Sequence, residues 1–390
     1  MWFKISPSKD TRFPVNYILQ PGRWLNCDHG WTEVWTPEGF LYFKGYCHER
    51  NISLAFAQAL FKDPTPRYTG SFVAVLCYKD GKVAVTNDRT RACPLWRNDA
   101  CEVGNIDIAG GRNIWADAWV EIGDTVEEKR WNAVPTAVPT RDIESVLDEI
   151  DSLLAAKFNW LALNFSRVPK VFFSGGIDTL LCLSYFRSLG LEHELITGEH
   201  YDYDQFTCEF DNQVKAHWGY SQIHHWRQAS VLATGACGDE YFLRGPATAN
   251  MMLMHLGLKM EDILKPDDYH YKYFQGIEKS AMYRRQSQDE EIQHAVQTRH
   301  AVNDLILRHC INDHQHWHLG HTLTFTPFKD IDILRLVLEL DADTLVSNIA
   351  DASIQKQLIM RRDPQLLQFL VRNKNDDRNG IYRLRQQLYS

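Results

Sequence analysis

The sequence predicts an α/β protein in two parts, a β-rich amino-terminal domain and a carboxy-terminal domain built on a doubly wound parallel sheet with added helices. Three observations predict it. Residues 1–123 carry apolar stretches broken by hairpin-type turns. From residue 141 onward, helical periodicity alternates with short apolar strands. Two glycine-containing turns, 174–179 and 234–240, directly follow predicted strands, where open parallel sheets bind ligands.

A chain of 390 residues suggests two domains more readily than one and can bury sizeable cores. The formal net charge of −8 argues against a general basic coat for nucleic acid, while a local basic groove stays compatible with it. No apolar run approaches the length of a membrane span, so no membrane association is expected. The start, from Met1 to Pro7, lacks the apolar core of a signal peptide. Nine cysteines are scattered without a C-x-x-C pair, which suggests reduced thiols and a cytoplasmic location. Cys77 and Cys182 lie inside apolar runs and read as small core residues.

In the first part, Trp31 to Thr36 alternates and ends at the turn signal Pro37-Glu38-Gly39, and Phe40 to Phe43 resumes as a hairpin partner. Ile52 to Phe61 has helical spacing. Ser71 to Tyr78 reads as a strand, Lys79 to Lys82 as a hairpin turn, and Val83 to Thr86 as the return strand. Residues 124–140 are polar, proline-bearing and without clear period, and are read as a linker.

The second part spans 141–390. Thr140 is a candidate N-cap for a helix whose apolar positions run from Ile143 to Phe158. Val171 to Phe173 is a buried strand, Ser174-Gly175-Gly176 breaks it, and Asp178 and Thr179 open a helix that Gly190 can end. Such a turn presents backbone N–H groups at a positive helix end, a cradle for phosphate. The glycines allow close approach, where a Cβ would hold the phosphate away. Further strands are read at His193 to Thr197, Gln222 to Trp226 and Ser230 to Thr234, with a helix at Phe206 to Trp218. The remainder is mostly helical, interrupted by a loop from Thr326 to Asp330.

The second turn, Gly235 to Glu240, places Asp239 at a strand end. Phosphate held at such turns is commonly partnered by Mg²⁺ on hard oxygen ligands, and Asp178 with Asp239 is the natural pair. Capping a helix is the structural alternative for each carboxylate, and it is compatible with the metal role.

The stretch Ser174 to Thr179 lacks the lysine of a Walker A loop. It matches Ser-Gly-Gly-x-Asp-Ser/Thr throughout and resembles the PP-loop of ATP pyrophosphatases. With Thr234 to Phe242, then Pro327 to Asp330, and more weakly Lys356 with Leu358 and Arg372 to Lys374, it resembles the synthetase domain of asparagine synthetases and β-lactam synthetase. Tyr68 to Phe72, Val83 to Arg89 and Cys93 to Trp96 resemble the family's glutamine-hydrolysing domain. The resemblance implies an N-terminal-nucleophile αββα domain of two stacked sheets flanked by helices. Its nucleophile would be a cysteine after the initiator Met, but position 2 is Trp2. Such an enzyme uses its free α-amino group as base, so this domain is expected to be a glutaminase relic. Maturation exposing Cys27 is the disfavoured alternative.

The resemblance further implies an ATP-dependent, AMP-forming carbon–nitrogen ligase with ATP and Mg²⁺ as cofactors. Ser174, Gly175, Gly176, Asp178 and Thr179 would hold the triphosphate. Phe172, Ile196, Thr197, Thr234 and Gly235 would line the adenosine pocket. Asp178 and Asp239 would take part through the metal, and Lys356 would stabilise charge on the α-phosphate, with Lys329 and Lys374 as fallbacks. The substrates would be a small carboxylate and an amine. Two departures argue against asparagine as product: Ala236 stands where the family has glutamate, and Leu323 to Thr326 replaces an arginine-bearing stretch. Glu240 is an alternative base that family position makes structural. The run from His314 to His321 puts His314 and His318 one helical turn apart, but polar loop histidines are favoured over zinc because no acidic motif accompanies them.

Two other functions compete. A nucleobase-modifying enzyme acting on tRNA or DNA would need a basic track, for which Lys272, Arg284, Arg285, Arg361 and Arg362 are candidates. A nucleotide-binding pseudoenzyme would account for Ala236. The oligomeric state is open, a homodimer being one option.

Overall fold

The computed structural model describes residues 3–90, 95–105, 108–114, 118–130, 140–165, 168–173, 176–197, 231–264, 290–313 and 323–370. The chain divides into two compact units, the first holding residues 1–133 and the second most of the rest.

The first unit contains strands β1 (Phe3–Ser6), β2 (Val15–Gln20), β3 (Arg23–Cys27), β4 (Thr32–Trp35) and β5 (Gly39–Cys47), then helix α1 (Leu54–Lys62). It continues with β6 (Gly70–Tyr78), β7 (Val83–Asn87), β8 (Trp96–Arg97), β9 (Val103–Gly104), β10 (Arg112–Asn113), β11 (Ala118–Ile122) and β12 (Val126–Arg130). These make two six-stranded sheets, ordered β10-β8-β9-β1-β3-β2 and β12-β11-β7-β6-β5-β4. Neighbouring strands in both are antiparallel. Both predicted hairpins form, Trp35 facing Phe40 in one and Cys77 facing Val83 in the other.

The β6 sequence looks uniformly apolar because both its faces are covered. Val73, Val75 and Cys77 join Phe3, Ile5, Leu25 and Cys27 in a core between the sheets. Phe72, Ala74 and Leu76 point the other way, onto Phe56, Leu60 and Phe61 of α1. A strand buried on both faces loses its polar alternation. Ser53 caps α1 by accepting the Phe56 N–H at 3.2 Å.

Two expectations need correction. The linker begins later than residue 124, because Val126–Arg130 pairs along β11, Val120 facing Glu128. Its charged side chains hid an edge strand, where charge is tolerated and discourages further pairing. Among the described residues of 1–133, α1 is the one helix. Finally, Asp142, not Thr140, caps the next helix, accepting the Ser145 N–H at 2.9 Å.

The second unit begins with α2 (Ile143–Asn164), β13 (Lys170–Phe173), α3 (Ile177–Ser188), β14 (Glu194–Thr197) and β15 (Val231–Ala233). Helices α4 (Gly238–Tyr241), α5 (Pro246–His255), α6 (Met260–Ile263), α7 (Glu290–Ala295) and α8 (Arg299–Asp313) precede strand β16 (Leu323–Phe325). Then come α9 (Ile331–Leu338), α10 (Ala342–Asp351), α11 (Ser353–Arg362) and a 3₁₀ turn, Pro364–Phe369. The four strands are ordered β14-β13-β15-β16. β13 runs parallel to both β14 and β15, with Phe172 facing Ile196 and Val171 facing Ala233. Parallel pairing is therefore found in this unit, while both sheets of the first unit are antiparallel. The predicted helix at Phe206 to Trp218 and strand at Gln222 to Trp226 lie outside the described residues.

Helix α3 is buried along most of its length, from Leu180 through Phe186. Phe158 of α2 stacks on Tyr185 with ring centres 5.0 Å apart and meets Phe186 and Phe325 edge-on. The helix ends in a Schellman turn. Gly190 takes φ +64°, the Leu191 N–H donates to Phe186 O at 2.8 Å, and the Gly190 N–H donates to Arg187 O at 3.1 Å. Among the described residues, no helix is long and apolar enough to cross a membrane.

Candidate functional site

Because β13 and β15 are parallel neighbours, the bends that follow them leave the same edge of the sheet. The first bend delivers Gly176 as the N-cap of α3, and Thr179 Oγ1 donates to Gly176 O at 2.9 Å. Ser174 and Gly175 lie outside the described residues. Phe172, Ile196 and Thr197 end their strands at this same edge, in register across β13 and β14.

In the second bend, buried Thr234 donates its N–H to Phe325 O at 3.0 Å, and its hydroxyl accepts the Ala236 N–H at 3.1 Å. Cys237 takes a left-handed φ of +67° and starts the short helix α4. The sequence reading did not anticipate a cysteine in that conformation.

The two bends touch. A Cβ built on Gly235 would lie 2.7 Å from the backbone carbon of Asp178 and the nitrogen of Thr179. A Cβ on Gly238 would collide with the Asp178 carboxylate itself. Both glycines are therefore required by close approach, and neither takes a positive φ. Asp178 accepts the Asp239 backbone N–H, so the two predicted carboxylates share one locus.

Asp178 still reaches solvent, yet dense protein around it raises its pKa well above the ordinary carboxylate range. Desolvation is the largest cause, the Asp239 charge raises it further, and Arg244 opposes both. Glu240 is pushed up to about 7, first by burial and then by Asp239. Two residues that the sequence reading missed answer this charge. Arg244, 2% exposed at its side chain, donates to Asp239 Oδ1 at 2.9 Å and to Gln355 Oε1 at 3.3 Å. Fully buried Gln355 in turn donates its amide Nε2 to Asp178 Oδ1. Neither had a readable signal: Arg244 falls just beyond a four-residue helix, and Gln355 is distant in the chain.

Mg²⁺ fits this donor set. Two hard carboxylates that repel one another at close range gain from a divalent cation between them, and Mg²⁺ commonly takes one or two carboxylates, with phosphate and water completing its shell. Among the described residues, no group of three or more acidic, histidine or cysteine side chains forms a metal cage.

Lys356 lies on α11 directly after Gln355, and its ammonium pairs with exposed Asp351. Lys329 is 5% exposed, in the loop after β16, close enough for its charge to act on the Cys237 thiol. That loop is anchored by Lys157, which pairs with Asp330 at 2.6 Å and donates to Pro327 O at 2.9 Å. Cys27 is buried in β3, its thiol pushed up to about 12 by burial and then by Asp28, so it is a core residue. The histidines from His314 to His321, Lys374, Lys272, Arg284 and Arg285 lie outside the described residues. Arg361 and Arg362 are paired with Glu144, Asp148 and Asp151, not arrayed as a free basic track.

No protein-family model matches the chain, and no curated protein matches it in sequence.

Proposed function

We propose that the chain is an ATP-dependent amide-forming ligase of the asparagine synthetase and β-lactam synthetase kind. In this reading the second unit is a PP-loop ATP pyrophosphatase domain with a doubly wound sheet, and the first a glutaminase relic of N-terminal-nucleophile type. The observation that supports it most directly is the packing of Gly235 and Gly238 against Asp178. It makes a single acidic locus of two bends that the resemblance assigns to one triphosphate.

The roles follow from placement. The Gly176 and Thr179 end of α3, the positive end of the helix dipole, faces the phosphates. The ends of β13, β14 and β15 at Phe172, Ile196, Thr197, Thr234 and Gly235 border the adenosine. Asp178 and Asp239 hold Mg²⁺, which when bound offsets charge on the departing pyrophosphate. A substrate carboxylate attacks the α-phosphorus and pyrophosphate leaves; an amine then attacks the acyl carbon and AMP leaves. Ammonia or another amine is taken directly, without glutamine, in the cytoplasm. Lys356 serves the α-phosphate only by leaving Asp351.

A second reading, nucleotide binding without turnover, is favoured by that Lys356–Asp351 pair together with Ala236. One screen separates the two. Pyrophosphate release from ATP, stimulated by a pool of carboxylates plus ammonium and lost in Asp178→Ala, is the expected result. ATP-dependent thermal stabilisation with no pyrophosphate would favour the second reading. Retained turnover in Asp178→Ala would remove the metal assignment.

A further inference from the structure

The geometry points to Gln355 as a positioning residue that aims the Asp178 carboxylate, with its amide orientation locked by Arg244. This rests on the Mg²⁺-nucleotide reading of the same site.

A guanidinium only donates hydrogen bonds, so the amide group facing Arg244 must be the oxygen. The amide NH₂ is then committed to Asp178 Oδ1. Gln355 is fully buried, so water offers no alternative partner. Turning the amide over would set donor against donor at Arg244 and acceptor against acceptor at Asp178. Gln355 thus links the cation that holds Asp239 to the carboxylate across from it.

Its own position is braced. Asn348, also fully buried, donates its Nδ2 to Phe242 O at 2.6 Å and accepts the Ile354 N–H at Oδ1 at 3.1 Å. Phe242 directly follows α4, and Ile354 directly precedes Gln355. A second fixed amide therefore ties the start of α11 to the bend that carries Asp239. Ala352, at φ +54°, makes the sharp turn between α10 and α11 that brings both amides to one side. Side chains that orient metal ligands cost tenfold to a hundredfold in metal affinity when removed.

The test measures Mn²⁺ affinity by electron paramagnetic resonance, with a non-hydrolysable ATP analogue present, alongside thermal unfolding of the free protein. Gln355→Met keeps the length and removes both polar contacts, and is expected to weaken Mn²⁺ at least tenfold. Gln355→Asn keeps the amide but cannot span Arg244 and Asp178. It is expected to show the same loss, and it serves if the first variant does not fold. Leu358→Ala on the same helix is expected to lower the melting temperature and leave Mn²⁺ affinity unchanged. Wild-type affinity in either folded Gln355 variant would overturn the inference and spare the magnesium reading. No Mn²⁺ binding by the wild-type protein with the analogue would overturn both.

Discussion

Two interiors in this protein solve burial in opposite ways. Between its sheets the first unit packs Val73, Val75, Val85, Val120 and Ile122 with neutral thiols at Cys27 and Cys77. Beside the bends of the second unit, Asp178, Asp239, Glu240, Arg244 and Gln355 crowd together. An apolar core gains from every area it hides, at about 25 cal/mol per Å². Buried ions return little net stability, and breaking one of a pair is expensive. The difference fits the role proposed for the acidic locus in holding Mg²⁺-nucleotide, whereas the apolar sandwich supplies stability.

The largest expected effect comes from forcing the bends apart. Gly238→Val drives a branched side chain into the Asp178 carboxylate, and nucleotide-dependent pyrophosphate release should fall at least a hundredfold, about 2.7 kcal/mol or more in barrier. A variant with wild-type release would mean that the approach of the two bends is irrelevant to turnover. Next, Arg244→Met leaves the acidic residues without their buried guanidinium. Chemical denaturation should show a loss of roughly 3 kcal/mol, the scale for breaking a buried pair. A loss below about 1 kcal/mol would show the pair to be no stronger than a surface one.

The sandwich should respond to alkali instead. Burial, their largest cause, raises Cys27 and Cys77 from 9.0 to about 12, so each thiol stays neutral in the folded state while the unfolded thiol ionises. That stabilising contribution is complete below pH 9 and is lost as pH rises from there toward 12. Each thiol contributes a slope of about 1.4 kcal/mol per pH unit in that window. Melting temperatures between pH 8 and 10 should therefore fall less steeply in Cys77→Val than in wild type; parallel curves would deny the neutral-thiol account. The smallest effect is assigned to Asp351→Asn, which removes only an exposed partner of Lys356 and should cost under about 1 kcal/mol in denaturation.

Local chemistry alone determined a good deal. Periodicity and turn residues located both hairpins, α1, and the strand–helix units at Lys170–Phe173 and Ile177–Ser188, because these depend on neighbours a few residues away. The glycines and aspartates of the two bends were legible as a candidate site for the same reason. Charged β12 misled, since an edge strand needs no apolar face. Tertiary structure alone decided that Gly238 abuts Asp178, that Arg244 and Gln355 answer the carboxylates, and that Lys356 turns to Asp351. Those partners come from separate turns and helices. Hydrogen bonding and charge act through space over a few ångströms, and no periodicity in the chain records which distant side chains the fold will bring within that reach.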